Sequence, residues 1–234
     1  MKCFNYEIEG VVFTYRSDTW DLNIAKEVIE ADYYGLRSLR QEGGVPKNIV
    51  DVGAHLGYFS LYCRELWPES IIHSYEANPD NFTYLEDNVY SQVKSTEFTT
   101  TPYRMAMCGD PDKEWSKLVK PWALGSAENT GGGTINDNTD VRKGVSVVRA
   151  CTIEHSLDIM KSIDLLKFDC EGSEAEILEY ARQKGLMKYI GWIRGEYHGT
   201  EQLNRMYKAL DASHQMAHEE KASEIGFFIA HRTI

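Results

Sequence analysis

The stretch NIVDVGAHLGYFS, residues 48–60, decides the fold. Its first part, 48–52, is a short apolar run that takes in an acid, Asp51, and reads as a β-strand. Gly53 and Gly57 follow, and residues 58–67 read as a helix stopped by Pro68. Strand, glycine turn and helix make one βα unit. The glycines let backbone approach a ligand or a neighbouring element closely. The spacing, D-x-G-x-x-x-G, is neither the G-x-G-x-x-G of a dinucleotide turn nor a P-loop ending G-K-[ST]. No Lys or Arg stands in the turn to meet phosphate.

The same unit repeats outward. A strand over 71–76 leads to a helix from 79 to about 93, and a third strand ends near Met105 and Ala106. "IDLLKFDC", 163–170, is a strand before a helix at 174–184. "YIGWIRGEYH", 189–198, precedes a helix at 201–212, and "EIGFFIAHRT", 224–233, is a terminal strand. Repeated βα units predict a parallel sheet with helices on both faces, and ligands at the C-terminal ends of its strands. Upstream, residues 1–16 alternate apolar and polar around Glu9-Gly10, as a hairpin does. Residues 21–41 read as one helix ended by Gly43-Gly44. Residues 1–44 thus form an N-terminal cap, and 45–234 the main domain. An insertion at about 109–150 breaks the rhythm; its tryptophans and "NTGGGT" suggest a shaped, flexible loop that selects the acceptor.

Composition narrows the partners. With 42% hydrophobic and 26% charged residues the chain is an ordinary globular protein. A net charge of −11, without a basic stripe, argues against nucleic acid and anionic membranes. No apolar run reaches the roughly 18 residues of a membrane span, and "MKCFNYEIEG" lacks a secretion signal's apolar core. Cys3, Cys63, Cys108, Cys151 and Cys170 are scattered without a CxxC pair. Reduced thiols in a cytoplasmic protein are therefore expected, with no zinc site.

Glu76 ends the second strand, where an acid can accept both hydroxyls of a ribose. A nucleoside ligand without a pyrophosphate fits, and S-adenosylmethionine satisfies this, with Asp51 near its cationic end. The quoted turn, "YEANPDNF" and "IDLLKFDCEGSE" together resemble the FkbM-type methyltransferases, whose members carry "DVGANIGYFS"-, "EPNP"- and "IDLLKIDVEGAE"-like segments. The resemblance runs from about residue 32 to 198. His55 and Ala77 depart from it, where Asn and Pro are common.

The resemblance implies a class I, Rossmann-like methyltransferase fold with a mostly parallel seven-stranded sheet. It implies S-adenosylmethionine as donor, S-adenosylhomocysteine as product, and a hydroxyl acceptor, often on a sugar or a glycosylated or polyketide product. The expected donor-binding residues are Asp51, Gly53, Ala54, His55, Gly57, Tyr58 and Phe59 in the turn, then Glu76, Ala77, Asn78, Ala106 and Asp169. The acceptor is expected against Trp115, Trp122, Thr130, Gly131, Gly132 and Glu174.

An alcohol must lose its proton as it takes the methyl group, so a base is needed. Asp169 and Glu171 share a strand face at the reaction end. His198 ends the neighbouring strand, with an intrinsic pKa suited to a base near neutrality. His198 is the expected base, with Glu171 or Asp169 orienting it. Asp169, Glu171 and His198 could also suit Mg²⁺ or Mn²⁺, but no spacing demands a metal and none is expected. Lys167, inside an apolar strand, needs a carboxylate partner. The competing readings are methyl transfer to nitrogen or carboxyl, a nicotinamide-dependent oxidoreductase, and a donor-binding module without turnover.

Overall fold

A computed structural model describes residues 2–91, 100–119, 128–135, 144–222 and 224–233. The chain opens with a hairpin of β1 (Cys3–Ile8) and β2 (Val11–Arg16), in which Ile8 pairs with Val11 across the turn. Glu9 and Gly10 both take positive φ there, as a two-residue hairpin turn requires.

The single helix expected over 21–41 is broken in the structure. It consists of α1 (Asp21–Ala25), a π-helical turn (Lys26–Glu30) and α2 (Leu36–Gln41). Asp32 and Gly35 take left-handed backbone between the pieces, and the Asp32 carboxylate accepts the backbone N–H groups of Leu36 and Arg37 at 2.9 and 3.0 Å. A carboxylate that satisfies the first two N–H groups of α2 restarts the helix inside the apolar periodicity. The break frees Tyr33 and Tyr34 to turn inward.

The main sheet contains β3 (Asn48–Val52), β4 (Ile71–Tyr75), β5 (Thr100–Tyr103), β10 (Ile163–Phe168), β11 (Ile190–His198), β12 (His214–Ala222) and β13 (Ile225–Arg232). Its order is β12-β13-β11-β10-β3-β4-β5. The run from β11 to β5 is parallel, and β13 alone runs against its neighbours. This is the mostly parallel seven-stranded sheet expected of a class I methyltransferase. β12 is a strand that sequence periodicity does not announce: "HQMAHEEKA" is largely polar, as suits a sheet edge.

Alternation along the strands sorts residues to two faces. Val50, Val52, Leu166 and Phe168 pack against α5 (Glu154–Met160), α6 (Glu174–Gln183) and α7 (Thr200–Leu210). Ile49, Ile72 and Leu165 face α3 (Tyr58–Leu66) and the N-terminal segment, whose Phe13, Ile29, Leu36 and Leu39 join the same buried cluster. The N-terminal 44 residues therefore share the core of the sheet. The remaining helix, α4 (Pro79–Ser91), follows β4.

A second sheet replaces the loop expected after the third strand. Met105–Met107 is a separate strand, β6, and it continues through β9 (Val145–Cys151) and β7 (Trp115–Val119) to β8 (Thr134–Ile135). The described part of the insertion is thus β-structured. Among the described residues no helix is long and apolar enough to cross a membrane.

Candidate active site

The parallel register sets Lys167 of β10 beside Asp51 of β3, on the face toward α3. Lys167 Nζ lies 3.1 Å from Asp51 Oδ1, with 4% and 0% of the side chains exposed. Burial lowers the lysine's pKa, but Asp51 and Asp169 outweigh it and hold the ammonium charged. The ammonium also donates to the Gly53 carbonyl at 2.7 Å. Ser60 donates to the other Asp51 oxygen at 2.7 Å. Lys167 thus has the carboxylate partner its position demands. Asp51, expected near the donor's cationic end, lies beneath the turn, off the wall of the cavity above it, with its carboxylate held in this buried ion pair.

Above this pair a cavity of about 360 Å³ opens at the C-terminal ends of the strands. Gly53, His55, Glu76, Ala77, Asn78 and Ala106 line one part of it, and Asp169 and Glu171 another. Gly53 has φ 75, and a Cβ there would stand 1.8 Å from the Asp169 carbonyl oxygen. This glycine is needed by the neighbouring strand as well as by any ligand. Gly57, at φ 91, starts α3 against Leu85, while Ala54, Tyr58 and Phe59 are buried in packing. These four are absent from the cavity wall.

Glu76 closes the turn from the far side. Its two oxygens accept the N–H groups of His55 and Asn78, each at 2.7 Å. Burial dominates these bonds and pushes its carboxyl up to about 7. His55 holds left-handed backbone at φ 53, which aims its N–H at Glu76. Its ring contacts Thr130 Oγ1 at 2.8 Å, and burial drives it down to about 3, so it is neutral.

Residues 128–135 strap the mouth. Trp20 N–H donates to the Glu128 carbonyl at 3.0 Å, Thr130 Oγ1 to Asp21 at 2.5 Å, and Asn81 Nδ2 to the Thr130 carbonyl at 2.9 Å. Beyond the glycines, Thr134 Oγ1 donates to the Glu171 carbonyl at 2.9 Å. Asp21 is itself held by Arg16, through a buried pair at 2.7 Å. Thr130, Gly131 and Gly133 line the cavity, whereas Gly132 does not. Trp115 is 56% exposed beside Arg149 and lies away from the cavity, so it offers no platform there. Trp122 lies outside the described residues.

At the other rim, His198 Nε2 is 3.5 Å from Glu171 and 3.8 Å from Glu196, and its Nδ1 is 3.3 Å from Glu174. Burial opposes the imidazolium, but Glu174, Glu171 and Asp169 prevail and push His198 up to about 10. The carboxylates thus favour the imidazolium, the opposite form to the neutral imidazole expected of a base. Glu174 is fully buried behind the histidine and does not line the cavity. Glu171 does, from left-handed backbone at φ 57; burial first and Asp169 next push its carboxyl up to about 7.

The profile of the methyltransferase FkbM domain matches residues 51–220. The chain belongs to the FkbM methyltransferase family. It is therefore a methyltransferase, and the nicotinamide-dependent reading falls. Methyltransferase sdnD of Sordaria araneosa is 26% identical over 193 residues, 65% of this chain and 74% of that protein. Similar solved structures include a putative O-methyltransferase from Klebsiella pneumoniae (TM-score 0.48, 11% identity, 88% of this chain and 80% of that one). Another is M. jannaschii TYW2 in complex with AdoMet (TM-score 0.47, 10% identity, 99% and 87%).

In this FkbM methyltransferase several cavity residues escaped sequence inspection. Glu196 sits two residues before His198 on β11, and strand alternation could have found it. Tyr34, whose hydroxyl donates to Asp169 Oδ2 at 3.0 Å, arrives only through the helix break, and Trp20, Glu27, Asn81 and Lys221 come from distant segments without a motif.

Proposed function

We propose that this protein transfers the methyl group of S-adenosylmethionine to a hydroxyl of a small, polyhydroxylated acceptor of the sugar class. The observation that carries the reading is a single cavity with a nucleoside end and a carboxylate end. Glu76 follows β4 and Glu196 lies on β11, three strand spacings away, so the ends stand roughly 14 Å apart. At the first end Glu76 offers ribose hydroxyls its free lone pairs, and Ala77, Ala106, Leu118 and Ile135 form an apolar wall suited to a flat base.

The second end selects the acceptor by charge. Glu27, Asp169, Glu171 and Glu196 line it, and Lys221 on the same wall is paired with Glu27. Phosphorylated and carboxylate acceptors meet repulsion there, and hydroxyls meet acceptors for their protons. The methyl carbon leaves the sulfonium for the hydroxyl oxygen, and the hydroxyl proton passes to Glu171, the cavity carboxylate nearest His198. Fixing the two reactants in line supplies most of the catalysis, about 7–11 kcal/mol. Proton removal adds roughly 10²–10⁴-fold.

The test is S-adenosylhomocysteine release over a panel of neutral sugars, amino sugars and sugar phosphates, with Glu171→Gln beside the wild type. Turnover confined to neutral or cationic polyols, reduced about 10²–10⁴-fold by Glu171→Gln, is expected. Turnover restricted to phosphorylated sugars would refute the acceptor class. Full activity in Glu171→Gln would remove its role.

A further inference from the structure

We infer that Asp169, Glu196 and His198 form a divalent-cation site at the acceptor rim of the cavity. One ligating atom from each lies within 4.8 Å of the others, a separation that a single ion can bridge. Two carboxylates and an imidazole make an oxygen-rich set suited to Mg²⁺ or Mn²⁺.

The surroundings orient these groups as the outer shell of a metal centre does. Glu174, fully buried, faces His198 Nδ1 at 3.3 Å. Gln202 locks Glu174 by donating to it at 2.6 Å, and the N–H groups of Cys170 and Gly172 donate to it at 3.0 and 2.9 Å. A carboxylate on Nδ1 fixes the proton there and turns Nε2 outward, as in carboxylate–histidine–metal triads. Nε2 then points at Glu171 and Glu196. In the ion-free protein the ring's own N–H stands between these carboxylates; a divalent cation would take that place, with the Nε2 proton released to solvent. Tyr34 meanwhile occupies Asp169 Oδ2 at 3.0 Å and leaves Oδ1 for another partner.

Lys221, the lysine on the cavity wall, is engaged elsewhere: it lies 4.2 Å over the Tyr33 ring and 3.5 Å from Glu27. A divalent ion at the rim would neutralise the carboxylates and lower the pKa of an acceptor hydroxyl touching it. The binding site stands on its own geometry. Only its service to the acceptor rests on the methyltransferase reading.

The experiment is Mn²⁺ titration of chelator-stripped protein, followed by electron paramagnetic resonance. Wild type, Glu196→Gln and Glu174→Gln are compared, with thermal unfolding as the check on folding and calorimetric titration of S-adenosylmethionine run separately. One Mn²⁺ per chain is expected in wild type. Glu174→Gln should weaken it about 10–100-fold, the usual effect of losing an outer-shell carboxylate. Glu196→Gln should weaken it at least as much. Absence of stoichiometric binding up to about 1 mM, the weak end of protein carboxylate sites, overturns the proposal. So does equal binding by folded Glu196→Gln. If Mn²⁺ binds and S-adenosylmethionine does not, the cation site stands and the donor reading falls.

Discussion

Replacing Lys167 with Met tests the physical centre of the site. The ammonium is 4% exposed and is the partner of Asp51 Oδ1, which otherwise has no hydrogen bond. Met keeps most of the apolar stem and removes the charge. Asp51 then keeps only the Ser60 bond on its other oxygen. Stranding one member of a buried pair costs about 3–5 kcal/mol. For a chain of this size, at roughly 2–4 °C per kcal/mol, the unfolding midpoint should fall by about 6–20 °C. The Gly53 carbonyl also loses its donor, so the turn loosens and S-adenosylmethionine affinity should fall in parallel.

The double variant Asp51→Asn/Lys167→Met removes the stranded charge. It should be more stable than Lys167→Met, and the cycle completed with Asp51→Asn alone should show a coupling of about 0.5–3 kcal/mol, while donor affinity stays low because Gly53 remains unclamped. Urea unfolding with a calorimetric donor titration reads both quantities. A single variant within about 1 kcal/mol of wild type would refute the argument. Strict additivity in the double variant would do the same.

Donor affinity should depend on pH through Glu76, whose burial holds it at about 7 against the pull of Lys167 and the two N–H bonds, with Asp51 adding repulsion. The ionised form accepts ribose hydroxyls, so affinity should be flat above pH ~8 and fall as pH drops through ~7; a constant Kd from pH ~6 to ~8 would dismiss the ribose contact. By linkage, the raised pKa means that Glu76 contributes less to stability as pH rises from about 4.5 to about 7, and this loss should vanish in Glu76→Gln. Gly53→Ala should destabilise the fold itself, because its Cβ would sit 1.8 Å from the Asp169 carbonyl, and an unshifted unfolding midpoint would contradict that packing. Trp115→Ala should leave kcat/KM unchanged, since the ring lies outside the cavity; a tenfold loss, about 1.4 kcal/mol, would bring it back as an acceptor contact.

The parts of the site legible in the sequence are those that one strand and its turn create. Gly53, Glu76 and Asp169 follow from strand ends, and Lys167 announces its need for a partner by standing in an apolar run. The illegible parts depend on segments meeting across the fold. Asp32 and Gly35 break a helix whose apolar spacing is continuous, and Tyr34 reaches Asp169 across 135 residues. The insertion hides its strands because polarity and burial are mismatched along them: Trp115 and Val147 face outward while Ser116 is buried. His198 was visible as a titratable group, but its charge depends on Glu174, which is silent in the sequence except as a helix-start acid.

That dependence has a mechanistic consequence. A lone histidine at a strand end would work as a base, gaining and losing a proton near neutrality. The same histidine inside three carboxylates is a fixed cation or a ligand, because removing its proton would leave negative charges facing one another without a counterion. Under the proposed transfer to a hydroxyl, base work would then pass to the carboxylate that reaches the cavity from the same cluster, Glu171, while His198 holds that cluster together. A proton acceptor and a positive centre side by side are what an alcohol needs when it must lose a proton as it attacks a sulfonium methyl group.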